Sequence, residues 1–232
     1  MKIKGIIFDK DGTLFDFNAT WGALTRRLII AETGSDPTRM AELADLLGYD
    51  LDNGAFVPGS IVIAEPVTVV VDAMLTLLPH RTKEDMIEQM KSASAHVTQV
   101  EPVPLRPVLE KLTDMGLVLG VATNDSEIPA RANLAHVVDM FAFIAGFDSG
   151  FGGKPAPGQL HGFCAATGLD AANCIMVGDS THDLDAGRAA GMRCVGVLTG
   201  PAPREELTPK ADIVLDTIGG LPAWVAAQNA GV

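Results

Sequence analysis

Two carboxylates stand two positions apart where the first apolar run of the chain ends: Asp9 and Asp11 in GIIFDKDGTLF. On an extended segment, residues i and i+2 share a face. Both side chains are therefore expected on one side, with Lys10 pointing away between them. Like charges this close repel unless a cation or a proton intervenes. Further polar groups follow later apolar runs: Thr123-Asn124-Asp125 after LVLGVA, and Gly178-Asp179-Ser180-Thr181-His182-Asp183 after CIMV. Lys154 stands in GGKPAPG, near a helix start marked by Pro155. Each group alone has a local explanation. Asp11-Gly12 is a turn element, Thr123 bonds locally, and Ser180 with Asp183 has capping-box spacing. Together they assemble carboxylates, a hydroxyl, an amide and one lysine, a set able to hold and react with an anionic group.

The elements that must position these groups follow from hydrophobic patterning. Short, near-continuous apolar runs recur as KGIIFD, LVLGVATN, FAFIAGF, CIMVGD, CVGVLT and ADIVLD. Runs of this kind suit strands buried on both faces of a parallel sheet. Helical patterns separate them. In LRPVLEKLTDMG, Leu105, Val108, Leu109 and Leu112 share a face, Pro107 suits a first turn and Gly116 a stop; DLDAGRAAGM repeats that logic before CVGVLT. The alternation predicts an α/β fold with a doubly wound parallel sheet, a Rossmann-like core. In such sheets ligands sit outside the carboxyl ends of the strands, which is where the polar groups fall.

Residues 18–100 read differently. Trp21, Leu24, Leu28 and Ile29 form an apolar stripe at helical spacing, as do Met40, Leu43 and Leu47. VTVVVDAMLTLL and TKEDMIEQMKSASA predict two more helices, while Ile61–Ala64 (IVIA) fits a strand or a helix start. The expected organisation is a core of residues 1–17 and 101–232, interrupted by a helical cap domain at 18–100.

With these motifs in order, the chain resembles the haloacid dehalogenase superfamily in its phosphatase branch, similar to phosphoglycolate phosphatase. FDKDGTL, VATN, GGKP and GDSTHD match its four motifs, and the insert matches its helical cap. The resemblance implies a Mg²⁺-dependent phosphomonoester hydrolase of a small phosphorylated metabolite. It makes Asp9 the nucleophile that becomes an aspartyl phosphate, and Asp11 the general acid and then base. Thr123 would hydrogen-bond the transferring phosphoryl group with Asn124 at the same edge, and Lys154 would neutralise nucleophile and phosphate. Mg²⁺ would be held by the Asp9 carboxylate, the Asp11 main-chain carbonyl and Asp179, with Asp183 supporting the metal shell. Compensation matters: two unit charges 4 Å apart repel by about 4 kcal/mol at an effective dielectric near 20, about three powers of ten in rate. The same motifs and cap placement occur in β-phosphoglucomutase-like sugar phosphomutases, the alternative reading. A halide-releasing dehalogenase is disfavoured by the presence of Asp11, and a non-catalytic binding module by the completeness of the motifs.

Composition narrows the partners. The net charge of -12, from 29 acidic and 17 basic side chains in 232 residues, repels nucleic acid and anionic lipid. An anionic substrate therefore needs local cations. Cys164, Cys174 and Cys194 lack C-x-x-C spacing and point to a reducing cytoplasm. MKIKG lacks a signal-peptide core, and the longest apolar stretch is broken by Pro58, Glu65 and Pro66, against a membrane helix. The expectation is a cytoplasmic monomer or homodimer. His182 and the insert's Asp52, Asn53, Gly54 and Ser60 carry weaker signals that solvation and loop chemistry also explain.

Overall fold

The computed structural model describes residues 2–57, 59–64, 67–95 and 97–231; Pro58, Glu65 and Pro66 lie outside them. The chain divides into two compact units, Met1–Asp16 with Glu101–Val232, and Phe17–Val100. It starts with β1 (Gly5–Phe8), four fully buried residues, and then enters the second unit.

That unit is mainly helical: α1 (Ala23–Thr33), α2 (Pro37–Leu47), α3 (Ile61–Ala64), α4 (Val67–Leu75) and α5 (Lys83–Ala95), with a short antiparallel pair β2 (Tyr49–Asp50) and β3 (Ala55–Phe56). A π-helical turn, Asn18–Gly22, precedes α1. Asp36 caps α2 by accepting from the Arg39 N–H at 3.0 Å, and Pro37 supplies the fixed φ of a first turn. Ile29, Leu43, Leu47, Tyr49, Phe56, Val71 and Met74 form the unit's core. The IVIA segment is helix α3. Ser60, just before it, is buried and donates its hydroxyl to the Leu47 carbonyl at 2.6 Å. Asp52 and Asn53 turn around the Asp50 carboxylate, which accepts both backbone N–H groups.

The chain then alternates: α6 (Leu105–Asp114), β4 (Val118–Ala122), α7 (Glu127–Asn133), β5 (Phe143–Ala145), α8 (Gly158–Thr167), β6 (Cys174–Gly178), α9 (Thr181–Ala189), β7 (Arg193–Val197), α10 (Arg204–Leu207), β8 (Ile213–Leu215) and α11 (Leu221–Ala230). All six apolar runs are strands of one parallel sheet, ordered β5-β4-β1-β6-β7-β8. Alternation across the pleat divides the core. Ile6, Phe8, Val121, Ile175 and Val177 pack with Leu105, Leu109 and Leu112 of α6 and Leu221 and Val225 of α11. Ile7, Ala122 and Met176 pack with Leu160 and Phe163 of α8 and Ala186 of α9. Helices on both faces make the sheet doubly wound.

The chain winds outward on one side through β4 and β5, then returns to β6 and winds outward on the other. The outgoing connections therefore part between β1 and β6, a switch point at the carboxyl ends of these strands, where sheets of this kind leave a crevice. Among the described residues, no helix is long and apolar enough to cross a membrane. Cys164, Cys174 and Cys194 are free thiols.

Candidate active site

The crevice at the switch point is where the motif residues converge. The Asp9 N–H donates to the Val177 carbonyl at 2.8 Å, so the backbone at Asp9 still follows the sheet although β1 ends at Phe8. The chain then turns. The Lys10 carbonyl accepts the Leu14 and Phe15 N–H groups at 3.0 and 3.1 Å, and Gly12 sits at φ +83°, a left-handed conformation suited to glycine. This turn corrects one expectation. Lys10 does not point away from its neighbours: the strand alternation has already ended, and the Lys10 Nζ lies 2.6 Å from Asp11 Oδ2.

Lys154 is the cation at the centre. Its Nζ lies 2.5 Å from Asp9 Oδ1 and 2.6 Å from Asp183 Oδ1, and all three side chains are buried. Lys154 stands in the turn that leads into α8, which begins at Gly158, after Pro155. Asn124 holds that turn. Its Oδ1 accepts the Lys154 N–H at 2.8 Å and its Nδ2 donates to the Lys154 carbonyl at 2.9 Å. Both ends of the amide are thus committed to the Lys154 backbone, so the Asn124 side chain positions the lysine.

Thr123 is buried at the end of β4, its backbone N–H donating to the Ala145 carbonyl and its own carbonyl accepting from Gln159 Nε2. Its Oγ1 accepts the Asp125 N–H at 3.0 Å, the local bond its type favours. A hydroxyl that accepts still has its proton to donate.

After β6, Ser180 and Asp183 form a full capping box at the start of α9. Asp183 Oδ2 accepts the Ser180 N–H and hydroxyl at 3.0 and 2.6 Å, while Oδ1 faces Lys154. One carboxylate thus serves both the helix start and the site. Asp179 is buried beside it. A Cβ placed on Gly200 would lie 1.7 Å from Asp179 Oδ2, and one on Gly12 2.3 Å from the same atom. Thr199 ties those two glycine segments together, its Oγ1 donating to the Gly12 carbonyl at 2.6 Å. His182 is exposed in the first turn of α9.

Oxygens of Asp9, Asp179 and Asp183 lie within 4.8 Å of one another. Three buried carboxylates face one buried ammonium, and the imbalance shows in proton affinity. Burial pushes Asp9 up to about 7, with Asp183 and Asp11 adding to the rise and Lys154 opposing it. Burial, then Asp183 and Asp9, raise Asp179 well above the usual carboxylate range. Burial works against the Lys154 ammonium, yet Asp183 and Asp9 outweigh it and hold the lysine charged. Carboxylate oxygens gathered in this way are donors that fit a hard divalent cation such as Mg²⁺.

The likenesses to known proteins agree with this arrangement. The sequence profile described as haloacid dehalogenase-like hydrolase matches residues 6–197. The chain is 42% identical to the phosphoglycolate phosphatase of Neisseria meningitidis over 94 residues, a stretch that spans 40% of this chain and 40% of that one. It is 28% identical to hexitol phosphatase B of Escherichia coli over 238 residues, covering 96% of both. Its fold is similar to that of the β-phosphoglucomutase of Clostridium difficile, with a TM-score of 0.63, 20% identity, and coverage of 99% of this chain and 97% of that one. Matched by the profile from β1 through β7, and carrying its polar residues at the carboxyl ends of β1, β4 and β6, the chain belongs to the haloacid dehalogenase-like hydrolase family.

Proposed function

We propose that the protein is a Mg²⁺-dependent phosphomonoester hydrolase that works through an aspartyl phosphate. The observation that carries this reading is the Asp9 carboxylate, buried at the switch point and joined by Lys154 to Asp183 beside Asp179. A carboxylate shielded from water but paired with a cation is placed as a nucleophile toward an anionic phosphorus centre.

In the first step an Asp9 oxygen bonds to phosphorus and the ester P–O bond breaks. The leaving oxygen takes a proton from Asp11. In the second step water bonds to the same phosphorus, its proton passes to Asp11, and the bond to Asp9 breaks, releasing inorganic phosphate. Thr123 donates its hydroxyl proton to a phosphoryl oxygen, and Lys154 offsets charge on Asp9 and the phosphoryl group. The Asp9 and Asp179 carboxylates and the Asp11 carbonyl are the residues that would hold Mg²⁺, with Asp183 fixing Lys154 beside them. When bound, the metal neutralises negative charge shared by nucleophile and phosphoryl oxygens.

The relatives' names carry phosphoglycolate and hexitol. The substrate class we assign is accordingly a small, unactivated alkyl phosphate. The test is phosphate release from p-nitrophenyl phosphate and from a panel of alkyl phosphates, with Mg²⁺ and with EDTA. Metal-dependent release that disappears in Asp9→Asn is the expected result. Folded protein without metal-dependent release overturns the reading, and an isomerised sugar phosphate in place of free phosphate favours a mutase.

A further inference from the structure

Lys10 is fully buried, 0% exposed, and the phosphatase chemistry above makes no use of it. Burying an ammonium costs several kcal/mol unless its hydrogens find partners. Here they find oxygens from three separate segments. Nζ lies 2.6 Å from Asp11 Oδ2 in the turn after β1, 3.3 Å from Asp125 Oδ2 in the loop after β4, and 3.3 Å from Asn133 Oδ1 at the end of α7. An ammonium has three N–H groups, so three acceptors at these distances fix its position. The side chains of Asp11 and Asp125 are 21% and 40% exposed, and water can reach both. Neither needs this lysine to be tolerated in the fold, whereas the lysine needs them.

The consequence falls on Asp11. Its carboxylate is held by Lys10, while Asp9, Asp179 and Asp183 form the cluster around Lys154 and the cation position. We infer that Lys10 is a positioning residue for Asp11: its buried ammonium holds the Asp11 carboxylate apart from the Asp9–Asp179–Asp183 cluster and ties it to the loop after β4. The carboxylate is thereby reserved for proton transfer instead of being drawn to the metal. This inference rests on the proposed phosphatase reading, and deepens it by assigning the control of the acid.

A general acid matters most when the leaving oxygen is a poor one. An alkoxide leaving group needs the proton, whereas p-nitrophenolate leaves with little help. The test compares kcat/KM, which reports the steps through formation of the aspartyl phosphate, for p-nitrophenyl phosphate and for an alkyl phosphate turned over by the wild type. Lys10→Met is expected to lower both, and the alkyl value roughly 10- to 100-fold more than the aryl one, part of the 10²–10⁴ that general acids supply. Lys10→Arg is expected to recover part of the difference. In an Asp11→Asn background Lys10→Met adds little further loss, because the lysine acts through that carboxylate. Asn133→Ala, which loosens the lysine and keeps its charge, is expected to show the same alkyl-selective loss at smaller size, and reads the role should Lys10→Met not fold. Equal losses on both substrates, or additive losses with Asp11→Asn, overturn the positioning role while the phosphatase reading stands. A folded wild type inert on every phosphate ester overturns the phosphatase reading, and the role with it.

Discussion

Removing Lys154 exposes how strongly the site is held against its own charge. Lys154→Met keeps the length and apolar stem of the side chain and deletes the ammonium. The Lys154 and Asp183 side chains are each 3% exposed and that of Asp9 11%, so water does not replace the lost partner. Breaking a buried ion pair costs about 3–5 kcal/mol. One lysine here serves two carboxylates beside a third, which places the expected loss at about 4–5 kcal/mol without metal. For a domain of this size each 1 kcal/mol moves Tm by about 2–4 °C, a drop of about 8–20 °C. The pH dependence has a definite sign. Asp9 stands at about 7 in the wild type, mainly through burial, and Lys154 is what lowers it. Without Lys154 the folded state holds protons on Asp9 and Asp179 that the unfolded chain releases near pH 4, so the unfolded state binds fewer. Stability then falls as pH rises from about 4 to 8, by at most about 1.4 kcal/mol per pH unit for each such carboxylate. The assay is thermal unfolding of wild type and variant at pH 5 and pH 8, in EDTA and in Mg²⁺. The deficit is largest at pH 8 in EDTA, shrinks at pH 5, and is partly restored by Mg²⁺. A drop below about 2 °C at pH 8 in EDTA, or a deficit that grows on acidification, refutes the reasoning, since about 4 kcal/mol was expected.

Two further outcomes follow from the packing around Asp179 and Lys154. Gly200→Ala places a Cβ 1.7 Å from Asp179 Oδ2 and must displace that carboxylate; about a 10²-fold loss of metal-dependent turnover is expected. Calorimetric titration should show weaker Mg²⁺ binding, and unchanged binding would show that the backbone yields instead. Asn124→Ala removes both side-chain bonds to the Lys154 backbone, at about 1 kcal/mol each. A fall of about tenfold in kcat with a smaller change in KM is expected, a loss equivalent to about 1.4 kcal/mol of transition-state stabilisation; a change confined to KM would assign Asn124 to substrate instead.

What the sequence made legible depended on how local the cause was. The strands were readable because a parallel strand buried on both faces must be an uninterrupted apolar run, a cause that β1, β4, β6 and β7 carry within themselves and that the edge strands β5 and β8 share in part. The polar residues after β1, β4 and β6 were readable as a group because strand ends in an open sheet share one edge. IVIA was not resolvable: four residues are too few to separate a period of 2.0 from one of 3.6. Lys10 was misplaced because strand alternation was carried past Phe8, where the Lys10 carbonyl already closes a turn. The bonds of Asn124 to the Lys154 backbone, 30 residues on, carry no local signal. The contacts of Gly12 and Gly200 with Asp179 are also non-local, and glycine carries no chemical signal of what presses against it.

These non-local contacts share a physical origin. Motif residues advertise their chemistry by type, but the residues that aim them do so through backbone contacts and buried pairings, which any sequence context can supply. Asp183 shows both sides. Its capping-box spacing with Ser180 was legible over three residues, and its pairing with Lys154 across 29 residues was not. The same side chain makes both bonds, so the helix start and the charge on the nucleophile's partner are mechanically one object. A change that loosens the cap, such as Ser180→Ala, is therefore expected to reach Asp9 through Lys154. Loss of an N-cap alone costs about 1 kcal/mol of stability. If the coupling holds, Ser180→Ala also lowers turnover, and restoring stability elsewhere in α9 does not recover it; recovery of turnover with stability would reduce Ser180 to a cap.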